Sequence, residues 1–131
     1  MAATYLDSSA IVKLAVREPE SDALRRYLRR RRRPLLSSAL ARTEVLRSLL
    51  PGGEPALASG RRVLDRIDLA RVNDRILNLA ATLAPLELRT LDAIHLATAT
   101  RLGADLSEIV TYDEAMASAA RSMGFKVSSP T

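Results

Sequence analysis

Short runs of apolar and β-branched residues alternate along this chain with longer segments in which apolar positions recur every three or four residues. The short runs predict strands near 4–6, 35–37, 67–69, 109–111 and 126–128. The longer segments predict helices over 9–16, 19–32, 39–50, 56–66, 72–83, 91–102 and 114–123. Because parallel strands are joined by helical crossovers, this alternation predicts an α/β fold in which a parallel sheet is covered by helices on both faces.

Glycine and proline residues interrupt the pattern at a few places. Gly103 and Gly124 stand where helices commonly end in glycine. The segment 51–55 contains two prolines and two glycines, and it predicts a loop between two helices rather than a linker between domains. We therefore expect residues 1–131 to form a single domain.

The composition limits the possible classes of protein. With 47% hydrophobic and 27% charged residues the chain resembles globular proteins and not disordered ones. It contains no cysteine, which excludes a disulfide, a thiol nucleophile and a thiolate zinc site. The start of the chain has no signal-peptide pattern, and the uncharged segment 76–86 is shorter than the roughly 20 residues of a membrane-spanning helix. We expect a soluble cytoplasmic protein with no membrane partner.

The net charge of +5 and the pI of about 10.4 are compatible with a polyanionic partner such as RNA. Most of the positive charge is arginine, and it is densest in a run that ends the second predicted helix. The candidates for contact with an RNA backbone are Arg30, Arg31, Arg32 and Arg33. A solvated helix end, with arginines that complement the helix dipole, explains the same run at least as well.

Two acidic residues follow predicted strands. Asp7 follows the first strand and Asp113 follows the fourth, and each precedes a helix. The carboxyl ends of parallel strands are where α/β sheets form their ligand crevices. The alternative is that each aspartate only caps the helix that follows it.

Two further acids lie beside apolar helix faces. Asp92 stands in the first turn of a strongly apolar helix, where it also complements the helix dipole. Glu44 lies next to the apolar stripe of Ala41 and Val45, although for Glu44 taken alone an exposed pair with Arg47 or Ser48 is the favoured explanation. A carboxylate beside a core needs a partner.

The four acids together favour a bound cation. Two carboxylates about 4 Å apart repel each other by roughly 4 kcal/mol at an effective dielectric constant near 20. Shared protonation relieves this repulsion, and so does a small divalent ion that prefers oxygen ligands. Mg²⁺ or Mn²⁺ is the expected ion.

Three segments of the chain resemble PIN-domain nucleases, and in particular the VapC-like ribonuclease toxins of bacterial toxin–antitoxin pairs. They are YLDSSAIVKL at 5–14, LRTLDAIHLATA at 88–99, and the region from TYDE at 111–114 to Lys126 and Val127. Their order, with Glu44 in the helix after the second strand, spans nearly the whole chain.

The resemblance implies a three-layer α/β/α domain with about five parallel strands and an endoribonuclease that depends on Mg²⁺ or Mn²⁺. It assigns the metal site and the catalysis to the acids Asp7, Glu44, Asp92 and Asp113. It gives supporting roles to Thr111 and Ser8. It also implies a cognate antitoxin and a homodimer.

Other mechanisms and functions are less well supported. A paired-histidine mechanism is excluded because His95 is the only histidine, and we expect it to be a packed or solvent-facing residue, although it lies one helical turn from Asp92. A noncatalytic Mg²⁺-binding, receiver-like regulatory domain would pair adjacent acids after the first strand, whereas Asp7 is followed by two serines. A basic RNA-binding module without catalysis is the remaining alternative.

Overall fold

The computed structural model describes residues 2–131 and contains a five-stranded parallel sheet with the order β3-β2-β1-β4-β5. The strands are β1 (Ala3–Leu6), β2 (Leu35–Ser38), β3 (Asp68–Ala70), β4 (Leu106–Val110) and β5 (Val127–Ser128). The helices are α1 (Ser8–Ala15), α2 (Ser21–Arg31), α3 (Leu40–Leu49), α4 (Gly53–Leu64), α5 (Asp74–Ala80), α6 (Thr90–Leu102) and α7 (Glu114–Ser122). The predicted α/β fold with a five-stranded parallel sheet is confirmed.

Alternation of side chains along the central strands divides the core into two layers. Leu6 and Val110 belong to an apolar cluster that α1, α2, α3 and α4 complete on one face of the sheet. Tyr5 and Ile109, one position earlier on the same strands, belong to a second cluster that α6 and α7 complete on the other face. The period-2 geometry of a strand therefore produces the three-layer arrangement.

The strand order reverses at β1. This strand pairs with β2 on one side and with β4 on the other, and both pairings are parallel. The carboxyl ends of β1 and β4 therefore lie side by side, and the segments that follow them begin at the same edge of the sheet. Open α/β sheets bind their ligands at such a reversal point.

The differences from the predicted boundaries are local. The predicted loop at 51–55 is a short 3₁₀ turn, Leu50–Gly52, and α4 begins at Gly53 rather than near 56. Pro55 fits the first turn of that helix because the first turn does not need its amide hydrogen. Helix α5 is shorter than predicted at both ends. It begins at Asp74 because the Asn73 side chain accepts a hydrogen bond from the Ile76 amide and caps the helix.

Among residues 2–131, no helix is long and apolar enough to cross a bilayer.

Candidate functional site

A pocket of about 660 Å³ opens at the edge of the sheet where β1 and β4 end. Helices from both layers contribute to its walls, and so do the loops that follow the two strands. Its lining includes all four acids singled out in the sequence, together with two basic residues and the histidine: Asp7, Glu44, Asp92, Asp113, Lys13, Arg89 and His95.

Asp7 is fixed on all sides by hydrogen bonds. Its Oδ1 accepts from the Ser9 hydroxyl at 2.6 Å and from the Ala10 amide at 3.1 Å, so it caps α1. Its Oδ2 accepts from the Thr111 hydroxyl at 2.5 Å. Burial nevertheless raises the pKa of Asp7 above its ordinary value, against the opposing effect of these hydrogen bonds. The cap and the pocket carboxylate are the same residue, so the two interpretations of Asp7 do not compete.

Thr111 links the ends of the two central strands. Besides donating to Asp7, its Oγ1 accepts a hydrogen bond from the Asp113 amide at 3.1 Å. Thr111 lies just after β4 and is buried, which holds its hydroxyl in one place. It therefore fixes the position of one acid and the backbone of another.

Asp113 and Asp92 share one basic neighbour. Asp113 caps α7 by accepting from the Met116 amide at 2.9 Å, and its Oδ2 accepts from Arg89 Nη2 at 3.0 Å. Asp92 Oδ2 lies 3.5 Å from Arg89 Nε, but this buried oxygen has no hydrogen-bond partner among residues 2–131. Burial first, and then the negative charge of Asp113, raise the pKa of Asp92.

Glu44 lies at the end of a chain of hydrogen bonds that leads into the core. Its Oε1 accepts from the Ser8 hydroxyl at 2.5 Å and lies 2.6 Å from His95 Nε2, while His95 Nδ1 lies 2.7 Å from the Tyr5 hydroxyl. Burial strongly raises the pKa of Tyr5, so the phenol keeps its proton. An ionised carboxylate only accepts hydrogen bonds, so His95 Nε2 donates to Glu44.

These hydrogen bonds keep Glu44 ionised. Burial alone would raise its pKa, but the hydrogen bonds from His95 and Ser8 outweigh burial and hold the pKa of Glu44 below its ordinary value. His95 is packed, which is one of the two positions expected from the sequence, but it also contacts an acid of the pocket, which was the less favoured alternative. The one available signal was its spacing of three positions after Asp92 on α6.

The donor set has the chemistry of a site for a hard cation. All four acids offer oxygen, and Asp92 Oδ2 is a buried acceptor that accepts no hydrogen bond from residues 2–131. Among residues 2–131, however, no group of three or more His, Cys, Asp or Glu side chains is already arranged to hold an ion. Binding of a metal therefore requires some of these oxygens to exchange their present hydrogen-bond partners.

The arginine run lies far from this pocket. Helix α2 ends at Arg31, and the chain then reaches the start of β1, where the Pro34 carbonyl accepts a hydrogen bond from the Thr4 amide. Asp7 lies after the other end of β1. Arg31 lies over the Tyr27 ring at 4.6 Å and 3.9 Å from buried Glu108. The run is therefore at the opposite end of the sheet from the four acids.

Two other basic residues line the pocket itself. Lys13 is paired with Glu18 at 3.2 Å and with Glu20 at 2.5 Å, so its charge is already matched. Arg89 contacts the pocket acids directly. Sequence reasoning missed Arg89, which lies three positions before Asp92.

Comparison with known proteins identifies the family to which these features belong. The PIN domain family model matches residues 4–122. Over 131 residues, and 100% of both chains, the sequence is 65% identical to Ribonuclease VapC46 of Mycobacterium tuberculosis (strain ATCC 25618 / H37Rv).

Solved structures share the fold at low sequence identity. The crystal structure of Mycobacterium tuberculosis VapC20, a Sarcin-Ricin loop cleaving toxin, superimposes with a TM-score of 0.73 at 17% identity, over 94% of this chain and 96% of that one. A chain of a toxin-antitoxin complex from Klebsiella pneumoniae superimposes with a TM-score of 0.65 at 18% identity, over 85% and 87% of the two chains.

Proposed function

This chain belongs to the PIN-domain family of VapC-like ribonucleases, and on that basis we propose that it is a metal-dependent endoribonuclease, the toxin of a toxin–antitoxin pair. The proposed reaction is hydrolysis of RNA phosphodiester bonds in the pocket of the four acids. The relatives' ribonuclease names and the PIN-domain match favour a nuclease over a receiver-like domain or a noncatalytic RNA-binding module.

One observation carries the metal dependence. Asp7, Asp92 and Asp113 line one pocket, and burial raises the pKa of both Asp7 and Asp92, so keeping all three ionised costs free energy unless a cation compensates. Mg²⁺ or Mn²⁺ fits these oxygen donors, and these three aspartates with Glu44 would hold it. When bound, the ion would supply an activated water and neutralise charge on the phosphate.

The protein's own groups have separate tasks in this proposal. Thr111 and Ser9 hold the Asp7 carboxylate in one orientation. His95 and Ser8 hold Glu44 as an ionised acceptor, and its lowered pKa suits a ligand or a water-orienting group better than a general base at neutral pH. Attack by water would leave a 5′-phosphate and a 3′-hydroxyl, whereas attack by the RNA 2′-hydroxyl would leave a cyclic phosphate.

The proposed partners are RNA, a cognate antitoxin and a second copy of the chain. We further propose that residues 1–131 form a single domain that acts in the cytoplasm. The similarity to VapC46 and to a chain of a toxin-antitoxin complex supports the antitoxin. Exposed apolar side chains on and near α5 support self-association, with Leu77 44% and Leu86 98% exposed.

Cleavage assays with purified protein test the proposal. We expect RNA cleavage with Mg²⁺ or Mn²⁺, products with a 5′-phosphate, and loss of cleavage in EDTA or in Asp92→Asn. Asp105→Asn, an exposed aspartate beyond the far end of α6, is the matched control and should cleave normally. Undiminished cleavage in EDTA, or by Asp92→Asn, would refute the metal-dependent mechanism.

A further inference from the structure

We infer that Arg89 competes with the divalent cation for the pocket acids, and that the cation, when it binds, displaces the guanidinium so that it can contact an RNA phosphate. Arg89 would then couple metal binding to substrate binding. The inference rests on the proposed metal-dependent function.

The contacts of Arg89 place it among the oxygens that a cation needs. Its Nη2 donates to Asp113 Oδ2 at 3.0 Å, and its Nε lies 3.5 Å from the unpartnered Asp92 Oδ2. One positive charge thus lies between two carboxylates that repel each other. A metal ligated by these two oxygens would compete with Arg89 for them.

The present position of Arg89 is weakly held. Its side chain is 73% exposed, and exposed ion pairs contribute little to stability. Arg89 is the residue that precedes α6, with extended backbone dihedral angles, so its side chain projects from the start of a helix and not from a packed face. The guanidinium can therefore leave without disturbing the core.

Electrostatics favour that departure once an ion binds. A divalent ion beside Asp92 and Asp113 repels the Arg89 guanidinium and so offsets the attraction that holds it. It also neutralises the two carboxylates more completely than one guanidinium does. Occupancy by the metal and the present position of Arg89 are thus mutually unfavourable.

The displaced guanidinium remains at the pocket mouth. Arg89 lines the pocket, so a phosphodiester that enters to reach the acids passes it. Guanidinium groups bind phosphate through two parallel hydrogen bonds, which lysine cannot reproduce. Exchange of partner from carboxylate to phosphate would tighten RNA binding when the metal is present.

The experiment measures Mn²⁺ binding by electron paramagnetic resonance without RNA, and then KM for RNA cleavage at saturating Mn²⁺. The variants are Arg89→Gln and Arg89→Lys, with Arg101→Gln as the control, an exposed arginine in the last turn of the same helix. Arg89→Gln should bind Mn²⁺ about tenfold more tightly, within the range of ordinary coupling between two sites, and its KM should rise by a similar factor.

Arg89→Lys keeps the charge, so its Mn²⁺ affinity should stay near that of the wild type while its KM rises. Arg101→Gln should change neither quantity. Unchanged or weaker Mn²⁺ binding by Arg89→Gln would overturn the competition, and an unchanged KM would overturn the phosphate contact. If neither the wild type nor any variant binds Mn²⁺, the proposed metal site fails together with the inference. If all of them bind Mn²⁺ equally, only the competition by Arg89 fails.

Discussion

His95 Nε2 lies 2.6 Å from Glu44 Oε1, and this contact joins the two helical layers across the edge of the sheet. Glu44 is on α3, which packs on the Leu6 face, and His95 is on α6, which packs on the Tyr5 face. The orientation of a pocket carboxylate therefore depends on how both layers pack.

We expect His95→Gln to lower kcat by roughly 10- to 100-fold with little change in KM, the usual effect of losing a group that orients a metal ligand. The physical reason is that Glu44 loses the donor that fixes its carboxylate. Steady-state RNA cleavage measures both constants. Tyr5→Phe removes only the hydrogen bond between the Tyr5 hydroxyl and His95, so it should reduce kcat less than His95→Gln does. A rise in KM with kcat unchanged would assign His95 to substrate binding instead.

Asp92 should destabilise the folded protein at neutral pH. Its pKa is raised by folding, so the folded state binds a proton more readily than the unfolded state, and stability falls as the pH rises from the ordinary aspartate range through the folded pKa. In EDTA, Asp92→Asn should therefore be more stable than the wild type at pH 7, by roughly 1 kcal/mol. The gain should be smaller at pH 4 and should vanish below the ordinary aspartate range, where both states are protonated.

Urea unfolding at the two pH values measures this difference. Asp105→Asn is the control, because this exposed side chain lies outside the pocket and should alter stability little. Equal or lower stability of Asp92→Asn at pH 7 would show that Arg89 already compensates the charge of Asp92 fully.

Glu108 should have the opposite effect. This residue is 1% exposed and accepts hydrogen bonds from Tyr27, from Ser128 at 2.9 Å and from Thr4 at 3.2 Å, with Arg31 at 3.9 Å. Burial alone would raise the pKa of Glu108, but these partners outweigh it and lower the pKa. A depressed pKa contributes stability above the ordinary glutamate range, and that stability is lost as the pH falls through the folded pKa.

Glu108→Gln should accordingly cost roughly 2 kcal/mol at pH 7, because charge-assisted hydrogen bonds are lost inside the core. Tyr27→Phe removes one of these bonds and should cost about 1 kcal/mol. Urea unfolding measures both. Cleavage per folded molecule should stay unchanged, since Glu108 does not line the acidic pocket. A Glu108→Gln protein as stable as the wild type would contradict a stabilising role for the ionised Glu108.

The arginine run should affect RNA affinity but not the chemical step. We expect replacement of Arg30, Arg32 and Arg33 with Gln to weaken RNA binding and to flatten its dependence on salt, because fewer counterions are released. Arg31 is left in place because it pairs with Glu108. Because the run is at the opposite end of the sheet from the acids, kcat should not change. An unchanged salt slope would assign these arginines to solubility or folding.

The sequence predicted the positions of Asp7 and Asp113 because strand ends in a parallel sheet share one edge, and strand ends are visible in the apolar pattern. It predicted Glu44 and Asp92 mainly through the family resemblance, since helix periodicity alone leaves both open to simpler explanations. Arg89 was not predictable, because its role depends on where one long side chain lies relative to two acids distant from each other in the sequence. The roles of the four acids themselves remain predictions.

Crystallography with Mn²⁺ and anomalous scattering tests most directly whether these acids share a cation. We predict one anomalous peak in the pocket, within coordination distance of carboxylate oxygens of Asp7, Asp92 and Asp113, with the Arg89 guanidinium moved away from Asp113. A crystal soaked in Mn²⁺ that shows no peak in this pocket, or only peaks at surface carboxylates elsewhere, would contradict the account.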